Sequence, residues 1–216
     1  MSYMSKMMSI IGAGLLVFIL AMPTVWAEDS AQVLSDKSMA ECQKGRRAKD
    51  SDIRLVHFER GRALAEKAVK LDARLADAHF ALFCSIGERM RANGEVLFSV
   101  FEYGEMMNAL DKTLSINPNH LDALSSKGTI LIEIPRLIGG DPEKGEVMLR
   151  QVIKEDPTAI NARVVVARAC AERGEKDEAL MLAKTALDLA KEQKREDLIP
   201  EAQETFVKIQ TQFTAP

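Results

Sequence analysis

The side chains that could carry nucleophilic or metal chemistry in this sequence are few: His57, His79, His120, Cys42, Cys84 and Cys170. The histidines do not show the H-x-x-x-H spacing that turns two imidazoles toward one metal ion. His79 and Cys84 are five positions apart, which separates them by about 140° around a helix. We therefore expect no catalytic residue, no metal site and no cofactor. His120, after Asn117-Pro118-Asn119, is expected to be an exposed turn residue.

A glycine-rich turn, Gly139-Gly140-Asp141-Pro142, precedes a predicted helix, where backbone amides can bind an anion. It lacks the Lys-Ser/Thr pair of a P-loop, and it follows a helix rather than a strand. Asp141 would also repel a phosphate. The segment therefore predicts a structural turn in which Asp141 caps the next helix and Pro142 occupies its first turn.

The cysteines are odd in number and widely spaced, which excludes a fold built on a disulfide framework. Cys84 and Cys170 lie within helical patterns and are expected to be small buried apolar residues. An arrangement with one disulfide bond and one free thiol remains an alternative.

Residues 1–27 have the organisation of a secretion signal: Lys6, an uncharged apolar run over residues 10–21, Pro23, and the small-x-small tripeptide Val25-Trp26-Ala27. The run is shorter than the roughly 20 apolar residues of a spanning helix. We expect cleavage before Glu28 and export, with a periplasmic location in a Gram-negative bacterium. The alternative is an inner-membrane tether through an uncleaved leader, the one case in which we expect membrane contact.

The composition limits the classes of partner. The formal charge is −3 and aromatic residues make up 5% of the chain. A mildly acidic chain lacks the basic excess that phosphate backbones demand, so nucleic acid is not an expected partner. Abundant Ala, Leu, Lys and Glu favour helices over sheets.

Helical periodicity is clearest near the C-terminal end. Apolar residues recur at spacings of three and four from Ile160 to Cys170 and again from Ala179 to Ala190, on either side of Gly174. This pattern predicts a helical hairpin with Gly174 as its turn residue.

Small residues and prolines carry a resemblance to the tetratricopeptide-repeat (TPR) family. The matching residues are Ala167, Gly174, Ala179 and Ala186, with Pro118 and Pro157 where the family ends each repeat. The resemblance covers residues 61–189 and implies an all-α solenoid of antiparallel helix pairs. The two prolines are 39 positions apart, five more than the 34-residue period.

The surplus residues are expected in two loops, between Pro135 and Asp141 and between Met90 and Phe101. This pattern resembles the group that includes the TRAP-transporter-associated TatT type and the regulator-of-microtubule-dynamics type. We predict a flexible tether over residues 28–38, three to four repeats over residues 39–198 with a degenerate first one, and a capping helix over residues 199–216. Within the first repeat, helices are expected in residues 39–49 and 61–71.

The resemblance implies that partners bind in a groove lined by the first helix of each pair. By repeat position, the groove would present Asp77, Phe80 and Cys84, then Asp122, Ser125 and Thr129, then Asn161, Val164 and Arg168. These residues lack the Lys and Asn pair with which some TPR domains hold a carboxylate. Arg168 alone offers a charge-assisted contact to an acidic partner, unless it is solvated or paired within the protein.

These features favour an exported, non-catalytic scaffold that binds another protein in the bacterial cell envelope. The sequence does not identify the partner or the oligomeric state. The alternative, implied by the TatT resemblance, is an accessory of a solute transport system that binds a ligand or forms a pore-containing oligomer.

Overall fold

The computed structural model describes residues 29–93 and 100–213. This part of the chain is all-α and contains nine helices and one short 3-10 helix, Arg136–Ile138. The helices are α1 Ala31–Arg47, α2 Ser51–Leu71, α3 Ala76–Asn93, α4 Val100–Ile116, α5 Leu121–Glu133, α6 Pro142–Glu155, α7 Asn161–Glu172, α8 Lys176–Glu192 and α9 Ile199–Gln212. No helix within these two ranges is long and apolar enough to cross a bilayer.

The helices form consecutive antiparallel pairs, α1 with α2, α3 with α4, α5 with α6, and α7 with α8, and α9 packs on α8 and α7. The first helices of neighbouring pairs also meet, α1 with α3 and α5 with α7. The predicted TPR solenoid is therefore confirmed. We call the surface formed by α3, α5, α7 and α9 the inner face.

The first repeat begins earlier than predicted. Residues 28–38 were expected to be a flexible tether, and this is wrong from Ala31 onward, because Ser30 Oγ accepts a hydrogen bond from Val33 N at 3.2 Å and caps α1. Leu34 is buried, and buried Ser38 Oγ donates to Gly61 O at 2.7 Å. Both helices of this repeat exist and are longer than the sequence indicated.

The second repeat absorbs part of its extra residues as helix, in α3. α3 has 18 residues, against 13 in α5 and 12 in α7, whereas α4 has 17 residues, against 14 in α6 and 17 in α8. The loop predicted from Met90 to Phe101 is therefore wrong at both ends, and its middle, residues 94–99, lies outside the described residues. A Cβ on Gly87 would lie 3.1 Å from Met106 Sδ, so this small residue gives the bulky Met106 its space.

The third repeat contains a close helix crossing and the predicted turn. Gly128 of α5 faces Gly145 of α6 so closely that a Cβ on Gly145 would lie 2.5 Å from Gly128 O. Between these helices Gly139 adopts a φ of 104°, a left-handed conformation that glycine adopts without steric strain. Asp141 Oδ1 accepts from Lys144 N at 3.1 Å, and Pro142 occupies the first turn, as predicted.

The last repeat supplies the centre of the core. α7 is buried almost around its whole circumference, and Gly174 makes the α7–α8 turn with a φ of 79°. α9 follows as a further helix and covers the end of the stack with buried Ala202, Thr205 and Ile209.

Candidate partner-binding surface

The inner face carries a recess between the N-terminal ends of α5 and α7, which we call the α5–α7 recess. It has a volume of about 180 Å³. Asp122 and Ser125 of α5 and Asn161 of α7 line it, so three of the residues assigned to the groove come together here. Their side chains make no hydrogen bond or ion pair inside the described part of the chain, so their polar atoms are available to a ligand.

The other wall of the α5–α7 recess is held by its own hydrogen bonds. Asp156 Oδ1 accepts from Thr158 N at 2.8 Å and from Thr158 Oγ1 at 2.6 Å, and these two bonds lower the pKa of the Asp156 carboxyl. Gln193 donates to Thr158 O at 2.9 Å, and Arg195 pairs with Asp197 at 2.8 Å. This wall is fixed in shape, whereas the α5 wall retains free hydrogen-bonding groups.

A second recess, the α7–α9 recess, lies between α7 and the last helix and has a similar volume of about 180 Å³. Arg168 stands at its rim and is held on two sides: Nη1 contacts Glu201 Oε1 at 3.1 Å, and Nη2 contacts Glu133 Oε1 at 3.3 Å. The guanidinium therefore already has two carboxylate partners. Of the alternatives for Arg168, the structure therefore supports pairing within the protein.

Three of the residues assigned to the groove are buried. Phe80 lies under the His120 ring, with the ring centroids 4.8 Å apart. Cys84 belongs to the same hydrophobic cluster as Phe80. Val164 packs with Ala186 and Ala202 beneath α9. A partner on the inner face cannot reach these side chains without displacing a helix, so they are not part of the surface.

Asp77 and Thr129 complete the assigned set and lie apart from both recesses. Asp77 accepts from Gln32 Nε2 at 3.1 Å and contacts His120 Nε2 at 3.3 Å, and so ties α1, α3 and α5 together at one end. Thr129 is half-buried on α5. A role in binding a partner stays a prediction for the six assigned residues that are not buried.

His120 is not the exposed turn residue that the sequence suggested. Only 11% of its side chain is exposed, because the ring covers Phe80, and its Nδ1 accepts from Ala123 N at 3.3 Å as the N-cap of α5. With Nδ1 accepting, Nε2 carries the proton that faces Asp77. This histidine joins the second and third repeats.

All three cysteines are buried and none forms a disulfide. Burial raises the pKa of the Cys42 and Cys84 thiols, and it raises the pKa of Cys170 to about 12. A thiolate is the reactive form of cysteine. These thiols are therefore held in their unreactive form, in line with the expectation of small buried residues.

A cluster of possible metal ligands, Cys170, Glu175 and Glu178, lies at the turn between α7 and α8. Arginines already neutralise it: Arg150 pairs with Glu178 at 2.6 Å and Arg173 with Glu175 at 2.7 Å. Both guanidiniums also reach Cys170 Sγ, at 3.7 and 3.5 Å. A cation would have to displace two positive charges and deprotonate a thiol whose pKa is about 12, so the cluster is a structural ion-pair network.

Residues of α9 were missed as functional candidates. Glu201, Glu204, Thr205 and Lys208 all line the α7–α9 recess. The sequence analysis treated α9 as a cap and looked only at its apolar stripe. The signal that it passed over is the spacing of three or four between these polar residues, which places them along one face of the helix.

No protein-family model matches the chain, and no curated protein matches it. Among solved structures, the chain is similar to MamA residues 41 to the end from Desulfovibrio magneticus RS-1, with 17% identity, a TM-score of 0.51, and coverage of 86% of this chain and 96% of that one. Another structure of MamA has 20% identity, a TM-score of 0.49 and coverage of 76% and 81%. YrrB, described as a TPR protein with an unusual peptide-binding site, has 17% identity, a TM-score of 0.37 and coverage of 79% and 99%. The likeness to Desulfovibrio MamA, itself a TPR-type protein, supports the fold.

Proposed function

We propose that this protein is a non-catalytic scaffold that binds a segment of another protein along its inner face. The observation that carries the proposal is the α5–α7 recess, where Asp122, Ser125 and Asn161 present polar side chains that have no partner within the described residues. Polar groups fixed on a rigid helical frame, on either side of a shallow depression, are suited to an extended peptide backbone, which offers donors and acceptors in alternation.

The size of the recesses favours a peptide over a small molecule. Each has a volume of about 180 Å³, whereas pockets that enclose a drug-sized ligand occupy roughly 300–1,000 Å³. A volume of this size suits a single side chain. This argues for the scaffold over the solute-binding role that the TatT resemblance implies.

The reactive side chains support the absence of catalysis. His57 Nδ1 lies 2.7 Å from Glu41 Oε2, and His79 Nε2 lies 3.0 Å from Ala73 O. Each histidine, with His120 as a helix cap, therefore has a structural contact. The three thiols have raised pKa values, and neither recess has a histidine or a cysteine in its lining.

Site-specific photo-crosslinking tests this proposal. A photoreactive amino acid is placed at Ser125 or Asn161 on the inner face and, as a matched control, at Met181, which is 57% exposed on α8. We expect the two inner-face positions to crosslink one partner protein in the producing cell, and Met181 not to crosslink it. Asp122→Arg together with Asn161→Arg should abolish the crosslink from Ser125. Equal crosslinking from all three positions, or a product unaffected by the two substitutions, would refute the assignment.

We also propose that the scaffold works in the cell envelope of a Gram-negative bacterium, on the strength of the leader-like residues 1–27, which lie outside the described residues. Mass spectrometry of the protein isolated from its host tests this. A mature chain beginning at Glu28 supports export and cleavage. A chain that keeps residues 1–27 and sediments with membranes would support the tethered alternative, and a chain that keeps them in the cytosol would overturn export.

A further inference from the structure

The geometry points to the α7–α9 recess as a socket for a lysine or arginine side chain of the bound segment. The inference rests on the proposed function and makes it more specific, since it names the chemistry of the partner. Three features carry it: the charges that line the recess, its apolar floor, and the largely buried Thr205, whose hydroxyl has no partner within the described residues.

Carboxylates dominate the rim. Glu172 at the end of α7 and Glu201 and Glu204 on α9 line the recess, together with the cations Arg168 and Lys208. Arg168 is already paired with Glu201 and with Glu133 of α5. Glu172 and Glu204 are exposed and have no ion pair within residues 29–93 and 100–213. Lys208 has no ion pair there either, so the three carboxylates and two cations that line the recess leave a net charge of −1. This excess favours a cation from outside over an acidic side chain.

The floor suits the stem of a long cationic side chain. Ala171 and Ile209 are buried, with relative exposures of 4% and 2%, and both line the recess. Lysine and arginine bury their methylene stems along apolar surface while their charged ends stay near polar groups. A stem packed on Ile209 would leave the charged end inside a recess whose lining includes Glu172 and Glu204.

Thr205 is the observation that points to a ligand independently of the acidic rim. It lines the recess, its relative exposure is only 5%, and its side chain makes no hydrogen bond to the described part of the chain. Its Oγ1 atom is not sealed from solvent, because within the described residues the fully buried side-chain polar atoms without a partner are Arg54 Nε and Arg89 Nε. The small exposed part of Thr205 therefore includes a hydroxyl that is free to accept a hydrogen bond from a ligand in the recess. The other threonines of the later helices, Thr185 and Thr211, donate to carbonyls of their own helices at 2.8 and 3.0 Å. Thr205 leaves its hydroxyl to the recess, where a guanidinium or ammonium N–H could donate to it.

The test uses two fluorescent peptides of about eight residues that share a glycine–serine background and carry either two arginines or two glutamates. Their binding to the full chain is measured by fluorescence anisotropy at physiological salt. The pocket variant carries Glu172→Gln and Glu204→Gln. The matched control carries Glu155→Gln and Glu192→Gln, which remove the same charge from exposed positions on α6 and α8. Thr205→Val removes only the hydroxyl from the floor.

We expect the arginine peptide to bind and the glutamate peptide not to bind. The pocket variant should weaken binding about tenfold, the size of one lost charge-assisted hydrogen bond, and the control should change it less than twofold. Thr205→Val should weaken binding about threefold while the helical circular dichroism stays unchanged. Equal losses in the pocket and control variants would show only bulk attraction between opposite charges and would overturn the socket.

The experiments distinguish a failure of the proposed socket from a failure of the proposed scaffold function. If the arginine peptide does not bind while Ser125 and Asn161 still crosslink a partner, the inner face binds a partner whose chemistry is not the one inferred here. If those crosslinks also fail, the scaffold proposal fails with it.

Discussion

A single methyl group at Gly145 should test how tightly the third repeat is closed. In Gly145→Ala the added Cβ would lie 2.5 Å from Gly128 O, 2.8 Å from Ile132 Cγ1 and 3.1 Å from Leu131 Cβ. Real Cβ atoms do not approach other atoms within 3 Å. The nearest obstacle is a backbone oxygen that cannot rotate away, so α5 and α6 must move apart to make room.

The magnitude follows from two opposing terms. Alanine is favoured over glycine in a helix by about 1 kcal/mol, whereas overfilling a packed site costs about 1–3 kcal/mol. With a backbone contact the cost lies at the upper end, so Gly145→Ala should lower the free energy of unfolding by about 1–2 kcal/mol. Gly104→Ala is the matched control: the residue lies in α4, and its Cβ would have no heavy atom within 4 Å. It should raise stability by up to about 1 kcal/mol.

Urea unfolding followed by ellipticity at 222 nm measures both variants beside the parent protein. The expected result is a shift of the midpoint in opposite directions for the same glycine-to-alanine change. A Gly145→Ala protein at least as stable as the parent would show that the crossing can open without cost. An equal loss in Gly104→Ala would show that helical glycines are required here for another reason. Either result would refute the reasoning from close packing.

Three further outcomes follow from the contacts. At pH 8 a maleimide should react with the three cysteines at least tenfold more slowly in the folded protein than in urea. The reason is that burial raises the pKa of Cys42, Cys84 and Cys170, and the thiolate is the reactive form. Equal rates would contradict this. Lys44 and His57 lower the pKa of Glu41 below 4.5, so its contribution to stability is present above that pH and is lost as the pH falls through the lowered value. Glu41→Gln should reduce the acid loss of stability in urea titrations. Ser30→Ala should destabilise the chain by about 1 kcal/mol through loss of the α1 cap, as measured by thermal unfolding.

The sequence predicted those elements whose signals are local. The α7–α8 hairpin and the Pro135–Asp141 turn follow from apolar spacing, a turn glycine and an N-cap followed by proline, and each of these acts within a few residues. The prediction failed for the first turns of α1, because these turns are stabilised by residues that are distant in sequence. Leu34 is buried against Ala68 and Ala78, from α2 and α3, and Ser38 donates to Gly61 O. A polar segment that looks like a tether becomes a helix when two later helices cover one of its faces.

The second repeat shows the limit of a family period. The surplus residues of this repeat were assigned to a loop because the TPR pattern fixes the length of a repeat, yet α3 extends to 18 residues, against 13 in α5 and 12 in α7. The added turns are stabilised by contacts that the period does not describe: Met90 is buried in a core cluster with Ile86 and Met106. Apolar residues beyond the expected end of a helix are therefore better evidence of continuation than the repeat length is of termination.

The chemistry of the inner face was the hardest part to predict, because repeat position fixes where a side chain lies and does not fix its partners. Arg168 lines the α7–α9 recess, but its two carboxylate partners come from 35 residues before it and 33 residues after it. Their presence changes the inference about the partner. An unpaired arginine would favour an acidic segment, whereas an arginine enclosed by Glu133 and Glu201, beside free Glu172 and Glu204, favours a basic one. Since α9 supplies two of these four carboxylates and the unpartnered Thr205, the helix that caps the solenoid also determines the charge of its binding surface.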